Sequence, residues 1–474
     1  MTFLNSPPRV IQGGMGVAVS DWRLANAVAR RGQLGVVSGS MLDTVFVRRL
    51  QDGDPGGHLR RAIAAFPVAS DGEEILHRYF RPNGRAPNEP YKSLPMYKQV
   101  VSDARQRVTV LANFVEVWLA KEGHDGPVGL NLLTKVQMPN LPSLYGAMLA
   151  GVDVVIMGAG IPREIPGALD AFAGHAAARL RFEVEGLPRD AVEYVTFDPT
   201  CCTTPELRAT PLRRPAFLAV VSAASLAATL ARKSNGRVDG FVVESPTAGG
   251  HNAPPRGELR LNDRGEPLYG DRDVVDLAKM RELGLPFWLA GGTGSPAGLH
   301  AALESGAAGI QVGTLFAYCE ESGLEANLKS QVLGELKAGT VTLRTDPRAS
   351  PTGYPFKVVE LPGDAERSAA RARVCDLGYL RVPVRTSEGR TIYRCAAEPV
   401  DTYVAKGGEI SDTEGRRCLC NGLTANIGQA QYRPESDRDE IPLVTSGDDL
   451  LLLREFVTSR PGYTAGQVID YLCA

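Results

Sequence analysis

The stretch Glu244-Ser-Pro-Thr-Ala-Gly-Gly-His-Asn252 follows a short apolar run at 240–243, which puts His251 in a loop at the C-terminal end of a strand. The chain has six histidines. This one stands beside Gly249 and Gly250, whose bare backbone lets an imidazole approach a flat ligand. Imidazole is also the side chain that most readily exchanges protons near neutral pH. The plain alternative is a loop histidine bonded to backbone.

A second constellation binds anions. Pro286-Phe-Trp-Leu-Ala-Gly-Gly-Thr-Gly294 is an apolar run that ends in glycines, and Gly309-Ile-Gln-Val-Gly-Thr314 repeats the pattern after a helical stretch. Glycine turns leave backbone N–H groups bare, and beside a helix N-terminus they form an anion site. Gly291, Gly292, Thr293, Gly294, Gln311, Gly313 and Thr314 therefore read as a phosphate cradle, against the alternative of ordinary turns. A third motif, Gln12-Gly13-Gly14-Met15-Gly16, offers close backbone approach and a soft thioether to a planar ring.

Cysteines form a fourth group. Cys375, Cys395, Cys418 and Cys420 crowd one region, while Cys201-Cys202, Cys319 and Cys473 are scattered. Four thiolates suit tetrahedral zinc or an iron–sulfur cluster. Their spacing lacks the paired Cys-x₂₋₄-Cys knuckles of most structural zinc sites, so buried free thiols are the favoured reading and a metal site the alternative. Cys201-Cys202 reads either as packing or as a substrate-pocket lining.

Eight short apolar runs must position these groups: 9–14, 35–39, 128–133, 152–158, 216–222, 240–244, 286–292 and 309–313. Such runs suit strands buried on both faces of a parallel sheet. Helical patterns separate most of them, as in 21–31, where Asp21 is a cap and Gly32 a stop. Eight βα units predict a closed (β/α)₈ barrel rather than a doubly wound sheet. In that fold the two glycine turns follow strands seven and eight, where barrels hold phosphate. Residues 41–125 read as a helical insertion after the second strand, and 178–199 as a small β excursion. The expected organisation is a barrel over 1–344 and a Cys-bearing, partly helical C-terminal extension over 345–474.

These motifs, in this order, resemble the nitronate monooxygenase (2-nitropropane dioxygenase-like) family of flavin barrels. The resemblance rests on Ile11-Gln-Gly-Gly-Met-Gly16, Gly35-Val-Val-Ser-Gly39, Gly129-Leu-Asn-Leu132, Ala248-Gly-Gly-His251, Ala290-Gly-Gly292, Gly309-Ile-Gln-Val-Gly-Thr314 and Ser350-Pro-Thr-Gly-Tyr-Pro-Phe356. The first motif reads Gly-Gly-Met where many members have Ala-Pro-Met. The resemblance implies FMN, with its phosphate in the cradle and Asn131 near the flavin. It also implies that His251 is the base acting on a nitronate or nitroalkane. FMN would be reduced by substrate or by NAD(P)H. FMN-dependent enoyl reductases of fatty-acid and polyketide synthesis share the Gly-Gly-His loop and stand as the alternative function. A barrel acting on a sugar phosphate without redox chemistry is the third.

Composition bounds the partners. A net charge of −2 gives no electrostatic case for nucleic acid or an anionic membrane. No apolar run of about 18 residues predicts a membrane helix. Residues 1–5 begin no signal-peptide pattern, so the expected address is cytoplasmic, with a small-molecule substrate. The sequence leaves a homo-oligomer open.

Overall fold

In the computed structural model, which describes residues 6–458, 460 and 462–474, eight parallel strands close into a barrel. Residues 1–5, which carry the signal-peptide reading, lie outside the described residues. The strands are β1 (Val10–Gln12), β2 (Leu34–Ser38), β3 (Val128–Leu133), β4 (Val154–Gly158), β5 (Ala216–Val221), β6 (Gly240–Glu244), β7 (Phe287–Ala290) and β8 (Gly309–Val312). Each falls on one of the eight apolar runs. Neighbours in sequence are neighbours in the sheet, and β1 closes on β8 with Ile11 opposite Gln311.

Burial on both strand faces explains why the runs lack alternation. One set of side chains fills the barrel interior: Ile11, Leu34, Val36, Val154, Ile156, Leu218, Val242, Trp288 and Ala290. The intervening residues, Val37 and Val155 among them, pack outward against helices. Trp288 is fully buried, and its indole Nε1 donates to the Pro8 carbonyl at 2.8 Å. A buried Trp with a satisfied N–H fills the barrel without a polar cost.

Between β2 and β3 lie the helices Leu42–Gln51, His58–Ala64, Ala69–Tyr79 and Asp103–Lys121. The last packs on helices Asn140–Leu149 and Trp22–Ala29, so it serves as the barrel's own crossover helix. Buried charge clamps the insertion in place. Arg49 bridges Glu116 (3.0 Å) and Asp21 (3.1 Å), and Arg105 pairs with Asp43 at 2.7 Å. Asp43 also accepts from the Tyr379 hydroxyl at 2.5 Å, which ties the insertion to the C-terminal region. The Arg105 guanidinium and these hydroxyls outweigh burial and hold the Asp43 carboxyl below its usual range.

The excursion forms the antiparallel pair Ala178–Phe182 and Glu193–Phe197. The expected boundary at 344/345 falls inside a strand, Thr342–Asp346. That strand pairs with Phe356–Glu360, which in turn pairs with Gly250–His251. This three-stranded sheet caps the barrel mouth, so the cap begins before residue 345. Helices Asp449–Thr458 and Ala465–Leu472 return to the barrel, the first packing on Thr314–Ala317 and Ala326–Ala338.

Candidate active site

A cavity of about 420 Å³ opens at the C-terminal ends of the barrel strands and is roofed by the cap. That volume lies within the roughly 300–1,000 Å³ typical of small-molecule sites. Gly13, Gly14, Met15, Asn131, Gly249, Gly250, His251, Gly291, Gln311, Gly313 and Thr314 all line it. Gly292 does not, because the turn faces it outward and leaves it exposed. Cys201 and Cys202 also lie off the cavity wall, on the turn Pro199–Cys202, where the Cys201 thiol donates to Gln106 at 3.5 Å.

The Gly13–Gly14 turn sits between two amide side chains. A Cβ at Gly14 would come within 2.4 Å of Asn131 Cβ, and one at Gly13 within 3.3 Å of Gln311 Cγ. The glycines therefore make room for Asn131 and Gln311. Asn131 Oδ1, Gln311 Oε1 and Asn252 Oδ1 are buried without a hydrogen-bond partner, and all three residues face the cavity. An unpaired buried polar atom costs about 1–3 kcal/mol, so a ligand with donors along one edge would be well received. Gln12, by contrast, is structural: its amide donates to Ser20 Oγ (2.8 Å) and accepts from the Val36 N–H (3.0 Å).

His251 is held at its far edge. Nε2 lies 2.7 Å from Ser350 Oγ, which is 2.8 Å from Thr352 Oγ1. The ring packs edge-on against Phe356 at 4.9 Å between centroids. Burial, helped by the nearby Lys135 charge, pushes the imidazole down to about 4, so it is neutral at pH 7. Lys135 stacks on the Tyr354 ring, 2.9 Å from its centroid, and burial lowers its ammonium to about 8. Sequence motifs pointed to Ser350–Phe356 without showing that Ser350 would hold the imidazole.

The two glycine turns are backed from the chain's far end. The Gly447 N–H donates to Thr314 Oγ1 at 2.9 Å, and Tyr318 and Ser446 share a 2.6 Å hydrogen bond. Asp449 accepts from the Gly294 N–H at 3.3 Å, which removes Gly294 from the set of bare donors. Burial and the neighbouring Asp448 raise the Asp449 carboxyl above its ordinary range, and Gly294 partly offsets this. These tail residues carry no local signature of their role.

Glu244, at the end of β6, also lines the cavity, and burial alone pushes its carboxyl up to about 7. The folded protein therefore holds a proton between about pH 4.5 and 7 that the unfolded chain releases. Stability falls as pH rises through that window, and the full cost persists above it. Glu244→Gln should stabilise the ligand-free protein by about 2–3 kcal/mol at pH 8 and leave it unchanged at pH 4. Urea unfolding at the two pH values checks both the size and the sign.

The cluster Cys375, Cys395, Cys418 and Cys420 does not form a ready-made metal site. All four are free thiols, and among the described residues no three His, Cys, Asp or Glu side chains are set to hold an ion. No helix among them is long and apolar enough to cross a membrane.

Residues 192–349 match the family model for nitronate monooxygenase. Over that stretch the chain is similar to the nitronate monooxygenase family. It is 35% identical over 124 residues to a nitronate monooxygenase from Pseudomonas aeruginosa, covering 25% of this chain and 32% of that protein. A probable nitronate monooxygenase from Staphylococcus haemolyticus is 29% identical over 147 residues, covering 30% of this chain and 40% of that one. The chain thus spans well under half the length of these curated relatives. A solved nitroalkane oxidase from Streptomyces ansochromogenes overlays 99% of this chain and 96% of its own, with 15% identity and a TM-score of 0.47. The nitronate monooxygenase stretch contains His251 and both glycine turns, while Gly13–Met15, Asn131 and the four clustered cysteines lie outside it.

Proposed function

We propose that this chain is an FMN-dependent oxidoreductase that oxidises a small nitronate or nitroalkane. The observation that carries the reading is one cavity wall shared by a neutral histidine and the unpaired amide oxygens of Asn131 and Gln311. One of those amide oxygens would accept from the N3–H of an isoalloxazine while the amide N–H groups reach its flanking carbonyls, and Gly291, Gly313 and Thr314 would hold its phosphate. FMN supplies the two-electron chemistry when bound.

The chain's own residues bind, orient and move a proton. Neutral His251 accepts a proton from carbon, with Ser350 and Thr352 fixing the ring. An imidazole this weakly basic suits an unusually acidic C–H, such as one beside a nitro group. The Lys135 charge near His251 favours the anion left behind. Burial of His251 beneath the cap strands strengthens the Lys135 interaction.

Purified protein should carry FMN rather than FAD, since no Gly-x-Gly-x-x-Gly fingerprint follows β1. Heat release and chromatography identify the flavin. Recovery of FAD, or no flavin after incubation with FMN, would refute the cofactor. Rapid-mixing reduction by nitroalkanes and nitronates, set against enoyl thioesters with NAD(P)H, then decides the substrate class.

A further inference from the structure

The wall of the large cavity changes chemistry around the barrel. Its glycine turns follow β7, β8 and β1, which are neighbours in the sheet. On the opposite side β3, β4 and β5 are neighbours too. There β3 contributes Leu133 and, just beyond it, Val136, and the loop after β4 contributes Ile161. β5 contributes Val221, and the following helix, Ala224–Lys233, contributes Leu226. Beyond Asn131, Ser222 is the one polar side chain that this sector gives the cavity among the described residues. His251 follows β6 and so stands between the two sectors.

The apolar sector reaches the surface. Ile161 is 61% exposed although it lines the cavity, and Pro254, in the segment after His251, is exposed as well. The backbone that presents Ile161 is strained. Ala159 has a φ of +51°, a left-handed conformation that non-glycine residues adopt at a cost. Its corner is held from the β3 side: the Thr134 N–H donates to the Gly158 carbonyl at 2.8 Å, and the Lys135 N–H to the Ala159 carbonyl at 3.2 Å. A large apolar side chain left in water on a cavity wall marks a place where a ligand completes the burial.

We propose that this sector is a binding arm for a straight apolar chain attached to the reacting group of the substrate. The proposal rests on the reading of the cavity as a catalytic site. With the reacting carbon at His251 and the cofactor toward β7 and β8, the chain runs past Leu133, Val221 and Leu226 and ends at Ile161. A sector with so few donors and acceptors offers nothing to a second polar group. The substrate is therefore an amphiphile with one polar head and one alkyl or acyl tail. Nitro compounds and enoyl thioesters differ at the head, and the arm reads the tail that both can carry. Each methylene buried in the arm should tighten binding about two- to fourfold.

Titration calorimetry of the full-length purified protein with n-butanol, n-hexanol, n-octanol and n-decanol tests the arm. These alcohols carry the tail without a nitro or thioester group, so the result does not depend on turnover. The dissociation constant should fall about two- to fourfold per methylene. Ile161→Asp sets a charge at an exposed rim position, and Leu226→Trp fills the arm from a half-buried one. Each should cut the gain from n-butanol to n-decanol at least about tenfold, with circular dichroism confirming that the fold is kept. Equal affinity for all four alcohols in the native protein overturns the proposal, and so does an unchanged chain-length dependence in both variants. The reaction class is judged separately. A chain-length dependence without flavin reduction by any nitro compound keeps the arm and removes the reaction. Nitroalkane turnover with flat alcohol affinity keeps the reaction and overturns the arm.

Discussion

Replacing His251 with alanine should leave FMN bound and slow flavin reduction by substrate about 10²–10⁴-fold, the usual worth of a positioned acid–base group. The loss is kinetic because His251 faces the cavity from the cap strand Gly250–His251 and not from the cradle. Rapid-mixing absorbance at the flavin band reads the rate, and the unreacted spectrum reads occupancy. The pH profile adds a second reading. Burial and Lys135 push the imidazole down to about 4. Activity that depends on its neutral form should therefore persist below pH 6 and fall as pH drops through about 4. A variant reduced at the native rate, or a wild-type acid limb near 6.5, would return His251 to a packing role.

The largest binding effect is expected at Gly291. Its φ of +88° is a backbone conformation that side chains resist, and a Cβ there would meet Ser245 Oγ at 2.6 Å and the Ala248 N–H nitrogen at 2.7 Å. Gly291→Asp adds to this strain a carboxylate at the proposed phosphate site, where like charge repels. The FMN dissociation constant should rise by at least about 100-fold, or more than 2.7 kcal/mol. Gly292→Asp lies on the exposed side of the same turn and should rise far less, because its N–H is off the cavity wall. Fluorescence titration of the two variants compares them directly. Equal loss in both would mean that the cradle lies elsewhere.

The barrel was legible because each strand is a short apolar run with its own stop, and burial on both faces suppresses the alternation of a half-exposed sheet. β3 and β6 coincide with their runs, and the other six differ by a few residues at their ends. The glycines after β1, β7 and β8 were legible for the same local reason, because they follow strands directly, and His251 for its place in the segment that leaves β6. The closing elements were not. Ser350 meets His251 across 99 positions, and Gly447 meets Thr314 across 133. Such pairs leave no periodicity at either end. Glu244 sits inside the quoted histidine motif, yet its raised pKa comes from burial by the folded barrel, which spacing does not reveal. The boundary at 344/345 follows a change in composition, whereas the hydrogen bonds of the cap start at Thr342.

The wall of the cavity runs from Gly13 to Asp449. During synthesis all eight barrel strands emerge before residue 320, but Thr314 keeps its partner, and Gly294 its carboxylate, only once residues 447–449 have left the ribosome. The nascent barrel is therefore a vessel with one side missing. Capture of the proposed flavin then becomes a late step that waits for most of the chain, and a truncation between residues 320 and 447 should leave that side of the cavity open.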